Sequence, residues 1–121
     1  MEAIVLVVDD EHVIADGAAM VLQARGYCAL AVYSAEEAIR FLSTIDVALI
    51  LSDVNMPGVD GLELAAEAKK VCPRAKILLM SGMETPATIS QRQGCSGCPF
   101  QVIAKPFGVN ELVEKVNSVL N

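Results

Sequence analysis

Apolar residues in this chain follow two patterns, short continuous runs and stripes with helical spacing. Short runs rich in β-branched residues, bounded by polar or turn residues, are typical of strands buried in a parallel sheet. Apolar positions three and four residues apart share one face of a helix, so the stripes predict helices between these runs. The runs predict five strands, at residues 3–8, 28–32, 47–52, 76–80 and 100–104.

Helices are predicted after each of the five strands. Ser34 and Glu37 have the spacing of a capping box, which marks the start of the second helix. The stripe in the first helix predicts that it buries Val13, Ile14, Ala18, Val21 and Leu22. The predicted helices span residues 12–25, 35–44, 62–71, 86–92 and 109–120.

Strands and helices alternate along the whole chain. This order predicts an α/β fold with a doubly wound, five-stranded parallel sheet and helices on both faces. Right-handed crossovers leave few topologies, and we predict the flavodoxin-like strand order 2-1-3-4-5. The chain has 121 residues, of which 54% are hydrophobic. We therefore expect residues 1–121 to form a single domain.

Charge and hydropathy exclude several classes of function. The formal net charge is −6, which argues against direct binding to nucleic acid or to an anionic membrane. The apolar runs are far shorter than the roughly 20 residues that span a bilayer. Glu2 stands where a signal peptide carries basic residues, so we predict none. We expect a cytoplasmic protein, and we recognise no output domain in the sequence.

Charged and hydroxyl residues follow four of the predicted strands. Asp9 and Asp10 follow the first strand, Asp53 the third, Ser81 the fourth and Lys105 the fifth. Each residue alone is typical of a helix cap or a turn. The carboxyl ends of parallel strands, however, converge where ligands bind in open α/β sheets. The joint pattern therefore predicts three carboxylates, a hydroxyl and an ammonium at one rim.

These side chains suit a phosphoryl group and a divalent cation. Asp53 is central among them and is the expected nucleophile, because phosphoryl transfer needs positioning and charge neutralisation more than covalent help. Asp9 and Asp10 are expected to hold Mg²⁺, which prefers oxygen ligands. Lys105 is expected to neutralise a phosphate oxygen, and Ser81 to donate a hydrogen bond to the same phosphate.

Four motifs in this order resemble the receiver domain of two-component response regulators over nearly the whole chain. They are VVDDE at residues 7–11, DVNMPGVDG at 53–61, MSG at 80–82 and KPF at 105–107. The resemblance implies that Asp53 is the phosphoacceptor. It also implies that Asp10, Asp53 and the backbone carbonyl of Asn55 bind Mg²⁺, with Asp9 acting through water.

The resemblance extends to the phosphate contacts and the partners. It implies that Ser81 and Lys105 contact the phosphate, and that the bond from Lys105 to Pro106 is cis. Asp53 would receive its phosphoryl group from the phosphohistidine of a histidine kinase or a histidine phosphotransfer protein. Phosphorylation would then switch an interaction surface for a downstream protein or output domain. The resemblance implies a monomer or weak dimer that promotes its own phosphorylation and dephosphorylation, not a turnover enzyme.

The chain departs from the family pattern in two places, and two other functions stay open. Val102 replaces the usual aromatic residue three positions before Lys105, and Cys95 and Cys98 form a CxxC pair before the fifth strand. This pair leaves open a redox or metal-binding module. A phosphate-ester hydrolase of the same fold is the other alternative. Asn55 argues against it, because such enzymes carry a second aspartate there.

Overall fold

The computed structural model describes residues 3–82, 88 and 100–121. Its centre is one sheet of five strands in the order β2-β1-β3-β4-β5, and all neighbouring strands are parallel. The predicted architecture and strand order are therefore confirmed. The strands are β1 (Ile4–Val8), β2 (Cys28–Val32), β3 (Leu49–Asp53), β4 (Lys76–Ser81) and β5 (Gln101–Ala104).

Helices cover both faces of this sheet. Within the described ranges they are α1 (His12–Ala24), α2 (Ala35–Leu42), α3 (Gly61–Val71) and α4 (Val109–Leu120). The helix predicted for residues 86–92 lies, apart from Thr88, outside the described residues. Among the helices that are described, none is long and apolar enough to cross a membrane.

Alternate strand residues supply two separate hydrophobic cores. Val5 and Val7 point to the side that α1 and α4 cover, whereas Leu6 and Val8 point to the side of α2 and α3. This alternation follows from the two-residue period of a strand. Because β1 is covered on both faces, its last four residues are fully buried. The carboxyl end of β1 is thus held rigidly where its acidic residues begin.

Helix α1 buries part of the predicted stripe, since Ala18 and Leu22 are buried as predicted. Val13 is 85% exposed, so its assignment to the buried stripe was wrong. The buried residues of α1 are mostly small, and these let the helix backbone approach the sheet closely. They are Ala15, Ala18, Ala19 and Leu22. Val13 lies five positions before Ala18 and therefore on another side of the helix, where it faces solvent.

Helix α2 begins where the sequence predicts but ends two residues early. The Ser34 hydroxyl accepts a hydrogen bond from the Glu37 N–H at 3.1 Å, as in a capping box. The Glu37 carboxylate, however, accepts from the N–H of Tyr33 instead of Ser34. At the other end the hydroxyl of Thr44 donates to the carbonyl of Phe41 at 3.2 Å. This hydrogen bond gives a partner to one of the last carbonyls of the helix, which have none within the helix.

Candidate functional site

Strand register brings the acidic residues together. Val8 of β1 is paired with Ser52 of β3, so the next residues, Asp9 and Asp53, lie side by side at the carboxyl rim. Asp53 is the last residue of β3, one position beyond the predicted strand end. Both carboxylates are therefore placed by buried strands, and each is largely excluded from solvent, with 0% of Asp9 and 6% of Asp53 exposed.

Lys105 reaches this pair from the end of β5, the strand that lies beyond β4 in the sheet. Ala104 is paired with Ser81, and the Lys105 N–H donates to the Ser81 carbonyl at 2.8 Å, which fixes the backbone as it leaves β5. The Lys105 ammonium then lies 2.8 Å from Asp9 Oδ2 and 3.4 Å from Asp53 Oδ1. One cation thus bridges two carboxylates, and the Lys105–Pro106 bond that follows is cis, as the resemblance implies.

Asp10 completes an acidic group around the rim. Unlike Asp9, it is exposed to solvent. Asp9, Asp10 and Asp53 each offer a carboxylate oxygen, and these three oxygens all lie within 4.8 Å of one another. An oxygen-only set of this size matches the ligands that Mg²⁺ takes from proteins. Three carboxylates against one ammonium also leave an excess of negative charge that a divalent cation would neutralise.

The titration of the site reflects this crowding. Burial of its carboxyl group and the nearby charge of Asp9 raise the pKa of Asp53 to about 6, although Lys105 opposes the shift. Partial burial lowers the pKa of Lys105, but its hydrogen bond to Asp9 and the charge of Asp53 raise it more, so the net shift is upward. Lys105 therefore remains protonated, while Asp53 pays an electrostatic cost for ionising.

The loop after β3 is held close to Asp53 by backbone contacts. The N–H of Asn55 donates to the Asp53 carboxylate, which favours its charged form. The N–H of Gly61 donates to the carbonyl of Val54 at 3.0 Å and closes the loop. A Cβ at Gly61 would collide with the Asp53 carbonyl oxygen and lie 2.9 Å from the Cα of Val54. Sequence reasoning assigned Gly61 to the loop and missed this close approach.

The structure brings together the predicted site residues Asp9, Asp10, Asp53 and Lys105, and it places Ser81, which is 2% exposed, at the end of β4. The Lys105 ammonium here contacts two carboxylates, and its predicted contact with a phosphate oxygen stays a prediction. Asn55 follows the acceptor strand directly, but its predicted role as a carbonyl ligand stays a prediction.

Two features lie beyond what the sequence predicted. The CxxC pair, Cys95 and Cys98, falls outside the described residues. The ring of His12, a residue exposed at the start of α1, stacks on Tyr33 with 3.7 Å between ring centroids. No local sequence signal indicates this contact, because it joins the first turn of α1 to the end of β2.

Comparisons with known proteins point to one family. The family model for the response regulator receiver domain matches residues 5–117. The response regulator protein FleR of Pseudomonas aeruginosa is 34% identical over 118 residues, which are 96% of this chain and 24% of FleR. The chain spans between 12% and 49% of the length of the first curated relatives it matches.

Solved structures agree with this family and with the fold. Chemotaxis response regulator CheY4 of Vibrio cholerae is similar with a TM-score of 0.87 and 25% identity, covering 99% of this chain and all of that one. A response regulator of Burkholderia pseudomallei, solved with a phosphorylated aspartic acid and a calcium ion, has a TM-score of 0.79 and 28% identity; 99% of this chain and 67% of that one are covered. None of these matches supports a hydrolase or a redox module. The chain belongs to the response regulator receiver domains of two-component signal transduction.

Proposed function

We propose that this receiver domain accepts a phosphoryl group on Asp53. The observation that carries the proposal is the position of the Asp53 carboxylate, with the Lys105 ammonium 3.4 Å from Oδ1 and the oxygens of Asp9 and Asp10 within 4.8 Å. It is the member of the acidic group that ends a central strand and contacts the ammonium without being fully buried. An incoming phosphoryl group would therefore meet both a nucleophile and charges that stabilise it.

We also propose that Mg²⁺ is the cofactor. The fit rests on the donor set, because all candidate ligands are oxygens and the group contains no thiolate or imidazole. Asp10, Asp53 and the backbone carbonyl of Asn55 would hold the ion, with Asp9 acting through water. When bound, the ion supplies charge neutralisation to the phosphoryl oxygens. An added cation would favour the ionised carboxylate of Asp53, whose pKa burial and the charge of Asp9 raise to about 6.

In the proposed reaction a carboxylate oxygen of Asp53 attacks the phosphorus of a phosphohistidine. The phosphorus–nitrogen bond breaks, and the electron pair leaves with the imidazole. Lys105 stabilises the phosphoryl oxygens as a point charge, which requires its ammonium to leave one of the two carboxylates it contacts now. Ser81 donates its hydroxyl to the same phosphate from the end of β4. Binding of the phosphoryl group would thus replace a contact between Lys105 and a carboxylate by a contact between Lys105 and the phosphate.

Partners of this site follow from the same chemistry. We propose that the donor is a histidine kinase or a histidine phosphotransfer protein, and that a downstream protein or output domain reads the phosphorylated state. The phosphorylated aspartate in the similar Burkholderia pseudomallei regulator supports an aspartyl phosphate on this fold. The domain would act once per signal as a switch, because Asn55 lies where the hydrolases have an acid–base aspartate.

Phosphoryl uptake from acetyl phosphate tests the proposal. The wild-type chain should gain one phosphoryl group by intact mass when Mg²⁺ is present, and none in EDTA. Asp53→Asn should gain none under either condition. The matched control is Asp46→Asn, which changes an exposed aspartate outside the acidic group and should be labelled like the wild type. Full labelling of Asp53→Asn would contradict the assignment.

A further inference from the structure

Tyr33 connects the end of β2 to the first turn of α1. Its ring stacks on His12 with an interplanar angle of 22°, and its hydroxyl donates to Asp16 Oδ1 at 2.6 Å. Its backbone N–H donates to the Glu37 carboxylate at 3.2 Å, which ties the same residue to α2. His12 and Asp16 are four residues apart and so share one face of α1. Tyr33 therefore contacts one helix twice from a fixed strand end.

The first turn of α1 has few other stabilising contacts. Glu11 is its N-cap, but the Glu11 side chain makes no capping hydrogen bond, and the first turn contains no acidic residue. The first-turn backbone N–H groups therefore receive no capping hydrogen bond from the N-cap side chain. Val13, in the same turn, is 85% exposed and has a poor helix propensity. The start of α1 thus depends on contacts from outside the helix.

Asp10 lies on the short connection between these two anchors. On one side, Asp9 is held by Lys105 at 2.8 Å and by its own N–H, which donates to the Val32 carbonyl at 3.2 Å. Asp9 Oδ1 also accepts from the N–H of Glu11 at 3.0 Å. On the other side His12 is stacked on Tyr33. Only two residues separate the anchors, so fixing His12 restricts the backbone that carries the Asp10 carboxylate.

We propose that Tyr33, through its stack on His12 and its hydrogen bond to Asp16, is a positioning residue that holds Asp10 for the cation. The inference rests on the proposed function, because it takes Asp10 as a metal ligand. Outer contacts that orient ligands commonly change metal affinity without touching the ion. The hydrogen bond to Asp16 also raises the pKa of Tyr33, so the hydroxyl remains a donor at neutral pH.

Mg²⁺ titration of single variants tests this role. Tyr33→Ala removes both contacts with α1 and should raise the Mg²⁺ dissociation constant by about tenfold, the lower end of the range for such outer residues. Tyr33→Phe keeps the stack and loses only the hydrogen bond, so its effect should be smaller. His12→Ala should weaken binding, whereas His12→Phe, which keeps a stacking ring, should restore it. Both His12 variants change an exposed side chain, and we expect them to fold.

Tyr27→Phe is the matched control. The Tyr27 hydroxyl donates to Asn117 Oδ1, so this variant also removes a tyrosine hydrogen bond to a helix, here α4. Tyr27 precedes β2, however, whereas Tyr33 follows it at the acidic rim. Tyr27→Phe should therefore bind Mg²⁺ like the wild type. Equal weakening in Tyr27→Phe and Tyr33→Phe would mean a general loss of stability and would overturn the inference.

Phosphorylation rates separate positioning from structural damage. If Tyr33 acts through metal affinity, Tyr33→Ala should need more Mg²⁺ for half-maximal labelling by acetyl phosphate but reach a rate near that of the wild type at saturation. A lowered maximal rate with unchanged Mg²⁺ dependence would contradict positioning. A wild type that binds Mg²⁺ while all Tyr33 and His12 variants bind it equally well would overturn this inference alone. A wild type that binds no Mg²⁺ would overturn the proposed function as well.

Discussion

At the scale of single residues, the site is built around a carboxylate that is costly to ionise. Asp53 is 6% exposed and lies beside the buried carboxylate of Asp9, and these two features raise its pKa to about 6. The contact with Lys105 offsets part of this cost. Without a cation the carboxylates of Asp9 and Asp53 therefore repel each other, and binding a cation or forming a neutralised phosphoryl complex relieves this repulsion.

The raised pKa of Asp53 predicts that the stability of the metal-free protein depends on pH. An unfolded aspartate has a pKa near 3.9, so between about pH 4 and pH 6 the folded state retains a proton that the unfolded state has lost, and stability falls as pH rises. Asp53→Asn removes this dependence. In EDTA at about pH 7.5, its free energy of unfolding should exceed that of the wild type, by on the order of 2 kcal/mol.

Urea unfolding of both proteins at several pH values measures the difference. The gap between Asp53→Asn and the wild type should be small near pH 4, where Asp53 is protonated in the folded state and about half protonated in the unfolded state, and should widen up to about pH 7. Saturating Mg²⁺ should reverse the order, because the wild type alone offers the full set of carboxylates. A gap that does not vary with pH would be inconsistent with the raised pKa.

At the scale of elements, the loop between β3 and α3 is held by the start of the helix. Asp60 and Glu63 form a reciprocal capping box, with the Glu63 N–H donating to Asp60 Oδ1 at 2.9 Å and the Asp60 N–H to Glu63 Oε1 at 3.3 Å. Gly61, the first residue of α3, is packed directly against the backbone of Asp53. The helix start thus fixes the position of the acceptor strand end.

Gly61→Ala should therefore disturb both the fold and the site. Its Cβ would meet backbone atoms of Asp53 and Val54, which cannot move aside as a flexible side chain can. We expect a loss of about 1–3 kcal/mol in the free energy of unfolding, as for other overpacked positions, together with slower labelling of Asp53. The measurement is urea unfolding in parallel with acetyl phosphate labelling.

Gly17→Ala is the matched control for this substitution. Gly17 lies inside α1, and an added Cβ would meet nothing within 4 Å. Because alanine favours the helix over glycine, this variant should gain about 0.5–1 kcal/mol and be labelled normally. Equal stability of Gly61→Ala and the wild type would show that the close approach carries no cost.

Elements were predictable from the sequence where one local pattern decides them. The ends of β1, β3 and β5 follow from apolar runs that are followed by a charged residue, and these ends predict that Asp9, Asp53 and Lys105 lie at one rim. Three-dimensional packing decides the rest. The burial of Ala15 and Ala19 beside the predicted stripe of α1, the close approach of Gly61 to β3 and the contacts of Tyr33 all depend on residues distant in sequence.

At the scale of the whole molecule, β5 is the last strand of the described sheet and leads directly into Lys105 of the site. Val102 and Phe100 lie two residues apart and both pack against the cluster of Val54, Leu62 and Leu79. They therefore share one side of the sheet, as the two-residue period of a strand requires. The ammonium of Lys69 lies 4.9 Å from the centroid of the Phe100 ring and covers it. Both side chains are thus packed in place, and a β-branched residue such as Val102 has few rotamers to exchange.

We therefore expect activation without an aromatic rotamer switch on β5. Adding beryllofluoride with Mg²⁺ should shift the backbone amides of Ser81 and Gly82 strongly, because the Ser81 hydroxyl moves to the phosphoryl mimic. Phe100 and Val102 should keep their side-chain rotamers, as measured by NMR couplings and NOEs. The control is Val102→Ala, which should leave the Ser81 shift unchanged. A large inward rotation of Phe100 would contradict this account.

The identity of the phosphorylated residue is the central claim for the whole molecule. The most direct measurement is to label the wild-type chain with acetyl phosphate and Mg²⁺, reduce the acyl phosphate with borohydride and map the reduced residue by peptide mass spectrometry. We predict a single reduced position at Asp53, the carboxylate that ends β3 and lies 3.4 Å from the Lys105 ammonium within the acidic group. Reduction at Asp9, at Asp10 or at a residue away from this rim, with Asp53 unmodified, would contradict the account.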